Sequence, residues 1–180
     1  MTIKLYKKDQ ESIRYYEAWD HEGEVTIHWG ELGTQGETKT VPIRFWQSPE
    51  KVINKELTKA RSDGFEEIDI DDHIEFVVQY KVDGHGSQND LEKRYAVEGI
   101  LNESLGWTGN GHCDGGQMGS GSMEIFSYVI DPQIACKRVV RDLQNQGMLE
   151  GALIAYEGDD EHYEVLYPEN YPGEFKLLYS

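Results

Sequence analysis

Trp29-Gly30-Glu31-Leu32-Gly33-Thr34-Gln35-Gly36-Glu37-Thr38-Lys39 is the stretch that decides how this chain folds. Ahead of it, Glu24-Val25-Thr26-Ile27-His28 alternates in the period of a half-buried strand. Behind it, Thr40-Val41-Pro42-Ile43-Arg44-Phe45-Trp46 reads as another strand. Gly30, Gly33 and Gly36 permit positive φ angles and a tight, irregular connection between the two. A large aromatic at a strand end, followed at once by glycine, can leave a ring face open beside bare backbone. Trp29 can equally be a core anchor, with Gly33 and Gly36 only turning the chain.

Working outward, residues 3–7 and 12–19 alternate as two earlier strands, and Asp20-His21-Glu22-Gly23 is a turn by residue type. Ser48 is a good N-cap and Pro49 suits the first helical position. The helix over 49–62 places Val52, Ile53, Leu57 and Ala60 toward one side, and Asp63-Gly64 ends it. The expectation for residues 1–68 is a small antiparallel sheet with one covering helix, an α+β unit.

Trp29-Gly30, then Leu32-Gly33-Thr34-Gln35-Gly36-Glu37-Thr38, then Ser48-Pro49-Glu50 opening a helix and Gly64-Phe65 closing the segment, resembles a WGR domain over roughly residues 2–68. Such domains occur in poly(ADP-ribose) polymerases, where they bind DNA breaks, and in bacterial proteins. The resemblance implies a ligand surface at Trp29 and Gly30. The family's arginine is replaced here by Glu31, so a negative charge stands where the family keeps a positive one.

Residues 66–72 form an acidic connector, and the second domain is expected over 73–180. Residues 74–82 suit a buried strand. Asn89 or Asp90 can cap a helix running to about Leu105. Met123 onward is strand-like to Ile130, Asp131-Pro132 opens a helix to about Gln146, and Gly147 stops it. Residues 152–156 and 163–167 flank Gly158-Asp159-Asp160-Glu161, a hairpin tip. Strand, helix, two strands, helix, strand is the ferredoxin-like split βαβ order. Gly115 to Gly121, Met123 to Tyr128 and Asp131-Pro132 also resemble a small ferredoxin-like domain of many uncharacterised bacterial proteins, which implies a fold and no activity.

Charge is distributed unevenly. The formal net charge of the 180 residues is −17. Residues 1–68 carry 10 Lys and Arg against 13 Asp and Glu, and residues 69–180 carry 7 against 21. DNA binding draws on cations that replace phosphate counterions, so the acidic half repels DNA and attracts a basic protein. No apolar run approaches the ~18 residues of a membrane span. The N-terminal residues lack a signal-peptide apolar core, and Cys113 and Cys136 are read as free thiols, so a cytoplasmic protein with no membrane contact is expected.

The chemistry-bearing candidates are few. Gly106 to Gly121 is glycine-rich, but no Lys or Arg occurs from Tyr95 to Cys136, and a phosphate cradle is therefore not expected. His112-Cys113-Asp114 groups reactive residue types, yet neighbours on a strand face opposite ways, and no zinc or catalytic spacing accompanies them. The acidic run from Glu157 to Glu164 lacks the order of a calcium loop. On the first half, Lys51, Lys55 and Lys59 recur every four residues and stripe one helical face. The sequence therefore points to a non-enzymatic binding protein without a cofactor. Trp29, Gly30, Glu31, Lys39, Lys51, Lys55 and Lys59 are its candidate ligand residues, and a DNA end or a protein is the partner. The alternative is an acidic immunity or inhibitor protein that occludes a basic toxin or nuclease through its C-terminal half.

Overall fold

Alternation of apolar and polar residues in the first half produces a four-stranded antiparallel meander. Its strands are β1 (Thr2–Lys8), β2 (Ile13–His21), β3 (Glu24–Glu31) and β4 (Glu37–Pro42), lying side by side in chain order. The computed structural model describes residues 1–159 and 162–178. The β2–β3 hairpin closes on Glu22 and Gly23, both at positive φ, the two-residue turn that matches strand twist. Helix α1 (Pro49–Ser62) follows β4. The Ser48 side chain accepts from the Lys51 amide, and Pro49 occupies the first turn, where no backbone donor is needed.

One face of the meander and one side of α1 make an apolar core. Leu5, Ala18, Val25 and Ile27 from the strands meet Val52, Ile53, Leu57 and Ala60 from the helix. Each fully buried Leu or Ile there contributes about 1.5–3 kcal/mol over its exposed state. The strand expected through Trp46 stops at Pro42. Proline has no N–H for a ladder, and β3 begins at Glu24, opposite Pro42. The Ile43 amide bonds the Gly23 carbonyl, and residues 44–47 then form a turn closed by the Gln47 amide on the Arg44 carbonyl at 2.8 Å. After α1, Glu66 pairs with Tyr6 of β1 through two backbone bonds of 2.7 and 2.9 Å.

The chain divides into two compact units. The first is Met1–Asp72 together with Trp107–Gly109, and the second is His73–Gly106 together with the chain from Asn110 onward. Trp107, Thr108 and Gly109 were expected with the second half. Their packing partners are Tyr6, Tyr15, Trp19 and His28 of the first sheet.

The second unit carries β5 (Ile74–Lys81), α2 (Gln88–Gly106), β6 (Gly111–Gly119), β7 (Ser122–Val129), α3 (Pro132–Asn145), β8 (Leu153–Glu157) and β9 (Tyr163–Tyr167). All strand pairings are antiparallel, in the order β6-β7-β5-β8-β9. The first four strands with α2 and α3 are the split βαβ arrangement, and β9 extends one edge. Phe76, Val78, Met123, Ile125, Val129 and Ile154 of the sheet pack against Val97, Leu101 and Leu105 of α2 and Val139 and Leu143 of α3. On the opposite face, Phe175 covers Val77 and Ala155. The glycine-rich stretch is β6 itself, bulged between Cys113 and Gly115 and joined to β7 by a two-residue turn at Ser120 and Gly121. Helix α2 starts earlier than expected: Ser87 and Asp90 cap each other, with Ser87 Oγ accepting the Asp90 amide and Asp90 Oδ2 accepting the Ser87 amide. Asp160 and Glu161, at the tip of the expected β8–β9 hairpin, lie outside the described residues.

Candidate functional site

Trp29 lies on the helix-facing side of β3. It is half-buried, packed at the margin of the apolar core, and stacked on Tyr16 with ring centroids 5.8 Å apart. The ring thus serves largely as a core anchor. Gly30 permits a close backbone approach: a Cβ there would lie 2.8 Å from the Gly36 Cα. Gly36 is more constrained still. Its φ is +59°, and a Cβ would fall 2.2 Å from the Trp29 carbonyl oxygen and 2.3 Å from the Tyr15 hydroxyl. Glu31 is exposed, and its carbonyl accepts both the amide and the hydroxyl of Thr34. Lys39 on β4 is held by Glu56 of α1, Nζ to Oε2 at 2.8 Å, and this pairing lifts its pKa above the ordinary lysine range.

The other face of the sheet is buried too, but it is polar. His28 is fully buried and Glu17, opposite it in the β2–β3 register, is 4% exposed. His28 Nδ1 donates to Glu17 Oε1 at 2.7 Å, and Nε2 donates to the Gln35 carbonyl at 2.7 Å. Both acceptors are oxygen, so the ring that satisfies both is the imidazolium, paired with the Glu17 carboxylate. Lys4 Nζ holds the second Glu17 oxygen at 3.2 Å. Burial pulls the His28 pKa down. The hydrogen bonds to Glu17 and Gln35 and the Glu17 charge outweigh that, with Lys4 opposing, and the net is a raised value. Tyr15 OH lies 2.9 Å from His28 Nε2 and donates to the Thr34 carbonyl at 3.1 Å. The glycine loop is therefore pinned from beneath through two consecutive carbonyls, Thr34 and Gln35.

Trp107, Thr108 and Gly109 close this polar face. The Trp107 ring stands edge-on to His28 at 5.4 Å and to Trp19 at 6.1 Å. The Thr108 carbonyl accepts the Gly33 amide, and the Gly109 carbonyl accepts the Tyr6 hydroxyl at 2.9 Å. Gly109, at φ +67°, sits directly on the Tyr15 ring, where a Cβ would lie 2.3 Å from Cγ.

The exposed surface of the first unit presents a different chemistry. Lys51, Lys55 and Lys59 are all exposed, and none forms an ion pair among the described residues. The turn before α1 leaves Phe45 95% and Trp46 65% exposed, their rings 4.6 Å apart, with the Arg44 guanidinium 5.6 Å from the Trp46 ring. Of the seven predicted ligand residues, Trp29 and Gly30 are half-buried, Lys39 is paired, and Glu31 and the three helix lysines reach solvent. Sequence reading missed Phe45 and Trp46 as surface groups because their aromatic and apolar types read as strand. Pro42 was the available stop signal. The Glu17–His28 contact depends on strand register, which composition does not encode.

In the second unit, His112 and Asp114 are exposed and Cys113 turns inward against the core. Burial raises the Cys113 thiol, and pushes Cys136 up to about 11, so neither is an activated thiolate. Among the described residues no group of three His, Cys, Asp or Glu is placed to hold a metal. No helix among them is long and apolar enough to cross a membrane.

No protein-family model and no curated protein matches the chain. A solved Bacteroides fragilis protein, a structural genomics target, is similar at 21% identity with a TM-score of 0.34, covering 39% of this chain and 20% of its own.

Proposed function

We propose that this protein is a non-enzymatic binding module whose first unit, a WGR-like domain, engages a nucleic-acid end. The observation that carries the reading is the exposed Phe45–Trp46 pair with Arg44, next in the chain to the unpaired lysines of α1. Two rings this exposed cost solvation and add nothing to the core. An unpaired terminal base can stack on such rings, and base–aromatic stacking is worth roughly 1–3 kcal/mol per base. Lys51, Lys55 and Lys59 then stand where phosphates can replace their counterions. Recognition moves from the Trp29 ring, which the family uses, to the turn before α1, which keeps the acidic Glu31 out of the contact.

The test is fluorescence anisotropy with three labelled DNAs: a blunt duplex, a duplex with a short single-stranded overhang, and a circular duplex without ends. The overhang duplex should bind best, loosening steeply with salt, and Trp46→Ala should weaken it by roughly tenfold. Equal affinity for the circular duplex, or no binding even at low salt, would discard the nucleic-acid reading.

A second reading has its own observation. Residues 69–180 carry a net charge of −14, the field that draws a basic protein such as a toxin or nuclease. An immunity role predicts a tight complex whose on-rate falls with salt and which survives Trp46→Ala.

A further inference from the structure

Residues 69–180 carry seven cations against 21 carboxylates. Four of the seven sit in ion pairs: Arg94 with Glu98, Arg138 and Arg141 with Asp142, and Lys176 with Glu174. Lys81, Lys93 and Lys137 form none among the described residues. With carboxylates threefold in excess, an unpaired lysine is the unusual outcome. Lys81 and Lys93, from the end of β5 and the first turns of α2, line the same open cleft of about 820 Å³.

The environment of Lys93 is specific. Its ammonium lies 3.7 Å from the centroid of the Tyr80 ring, and it is half-buried. Tyr80 is fixed in turn, buried and donating its hydroxyl to the Met148 carbonyl at 2.8 Å. A ring face offers a cation attraction but no hydrogen-bond acceptor, so the three N–H donors of Lys93 stay unused by protein groups among the described residues. Burial lowers the Lys93 pKa, with Asp90 and Glu150 opposing, and neither carboxylate comes within ion-pair distance. Tyr167 and Tyr171 supply flat apolar walls to the same cleft. The volume suits a ligand of small-molecule size, and the lining joins aromatic and aliphatic side chains to Gln79, Gln144 and the two lysines.

We infer that this cleft binds a small organic anion with a planar body, its carboxylate or phosphate on Lys81 and Lys93 and its ring between Tyr167 and Tyr171. The site is separate from the aromatic turn of the first unit and does not depend on the nucleic-acid reading. Glu150 on the rim disfavours polyanions, which selects a ligand of one or two charges over a phosphate chain.

The experiment titrates the full chain with benzoate, phenyl phosphate, and benzamide as a neutral match, following amide chemical shifts by NMR. The expected result is saturable shifts at Tyr80, Lys93, Gly151 and Tyr167 for the two anions and none for benzamide. The preferred anion identifies carboxylate or phosphate as the recognised group. Lys93→Gln should weaken the anion about tenfold or more, Lys93→Arg should retain it, and the exposed Lys81→Gln should weaken it without lowering the melting temperature. If Lys93→Gln alters folding, Lys81→Gln alone decides the matter. Equal binding of benzamide, shifts elsewhere, or an unchanged affinity in Lys81→Gln would overturn the site.

Discussion

The two faces of the first sheet are buried to similar depth by opposite means. Under α1, Leu5, Ile27, Ile53 and Leu57 exclude water and make no directional demand. On the reverse face, Tyr6, Tyr15, Glu17 and His28 are as buried, yet each is bound to a named partner. Apolar packing tolerates a change of shape of similar volume. A buried imidazolium between a carboxylate and a loop carbonyl does not. The difference teaches where the specification of the glycine loop resides: it is the polar face, through Thr34 and Gln35, that fixes its path.

The largest effect should come from breaking the polar face. Glu17→Ala leaves His28 and Lys4 without their carboxylate, and removing one partner of a buried pair costs about 3–5 kcal/mol. Urea unfolding should show it as a lower midpoint. A loss no greater than that of an exposed substitution would show that the pair is not buried in solution.

The apolar face should lose somewhat less at a single site. Leu57→Ala removes a fully buried side chain and should cost about 2–5 kcal/mol by the same measurement. Loop signals in an NMR spectrum should shift little, whereas Glu17→Ala should move those of Thr34 to Gly36.

Gly36→Ala tests the loop directly. The new Cβ meets the Trp29 carbonyl and the Tyr15 hydroxyl at positive φ, so a loss of about 1–3 kcal/mol is expected. A neutral result would mean that the loop relaxes freely and that the polar face does not pin it.

Smaller again is a pH effect confined to one face. The folded-state pKa of His28 is raised, so its contribution is complete below the unfolded value of about 6.5 and is lost as pH rises through the folded value. Unfolding free energy should therefore fall as pH rises above about 6.5. His28→Gln should flatten that slope while Leu57→Ala keeps it. A slope unchanged in His28→Gln would assign the titration to another group.

The smallest stability effect should be at the surface. Phe45→Ala and Trp46→Ala should each change stability by no more than about 0.5 kcal/mol, since neither ring is packed in the core. A larger loss in a thermal melt would place these rings in the fold and remove them from the proposed contact.

Most strands and the three α-helices were legible in the sequence from apolar spacing and from cap and stop residues, whereas β6 carries no apolar alternation and read only as a glycine-rich stretch. The side of α1 that carries Val52, Ile53, Leu57 and Ala60 followed from spacing alone, and the order of elements in the second unit from the split βαβ pattern. The polar face was not legible. Glu17 and His28 each look like an ordinary outward residue of an alternating strand, and only the pairing of β2 with β3 brings them together. Lys39 was read as open to a ligand because Glu56, its partner, is 17 residues away on another element. The aromatic turn was hidden by residue type, since Phe and Trp favour strands when propensity is the only guide. Trp107 and Gly109 gave no local sign of belonging to a sheet a hundred residues earlier.

That distance has a kinetic consequence. The Tyr6 hydroxyl and the Gly109 carbonyl it bonds are 103 residues apart, while every strand pairing of the first sheet is between neighbours in the chain. Local pairings form early, and contacts that close long loops come late. A growing chain that has reached Asp72 already holds all four strands and α1, yet lacks the three residues that cover its charged underside. Until Gly109 is made, the polar face lacks the Trp107 ring over His28 and the carbonyls that bond Gly33 and Tyr6. Most contacts of the first unit are thus available within Met1–Asp72, and the cover of its polar face waits for some 37 further residues to be translated.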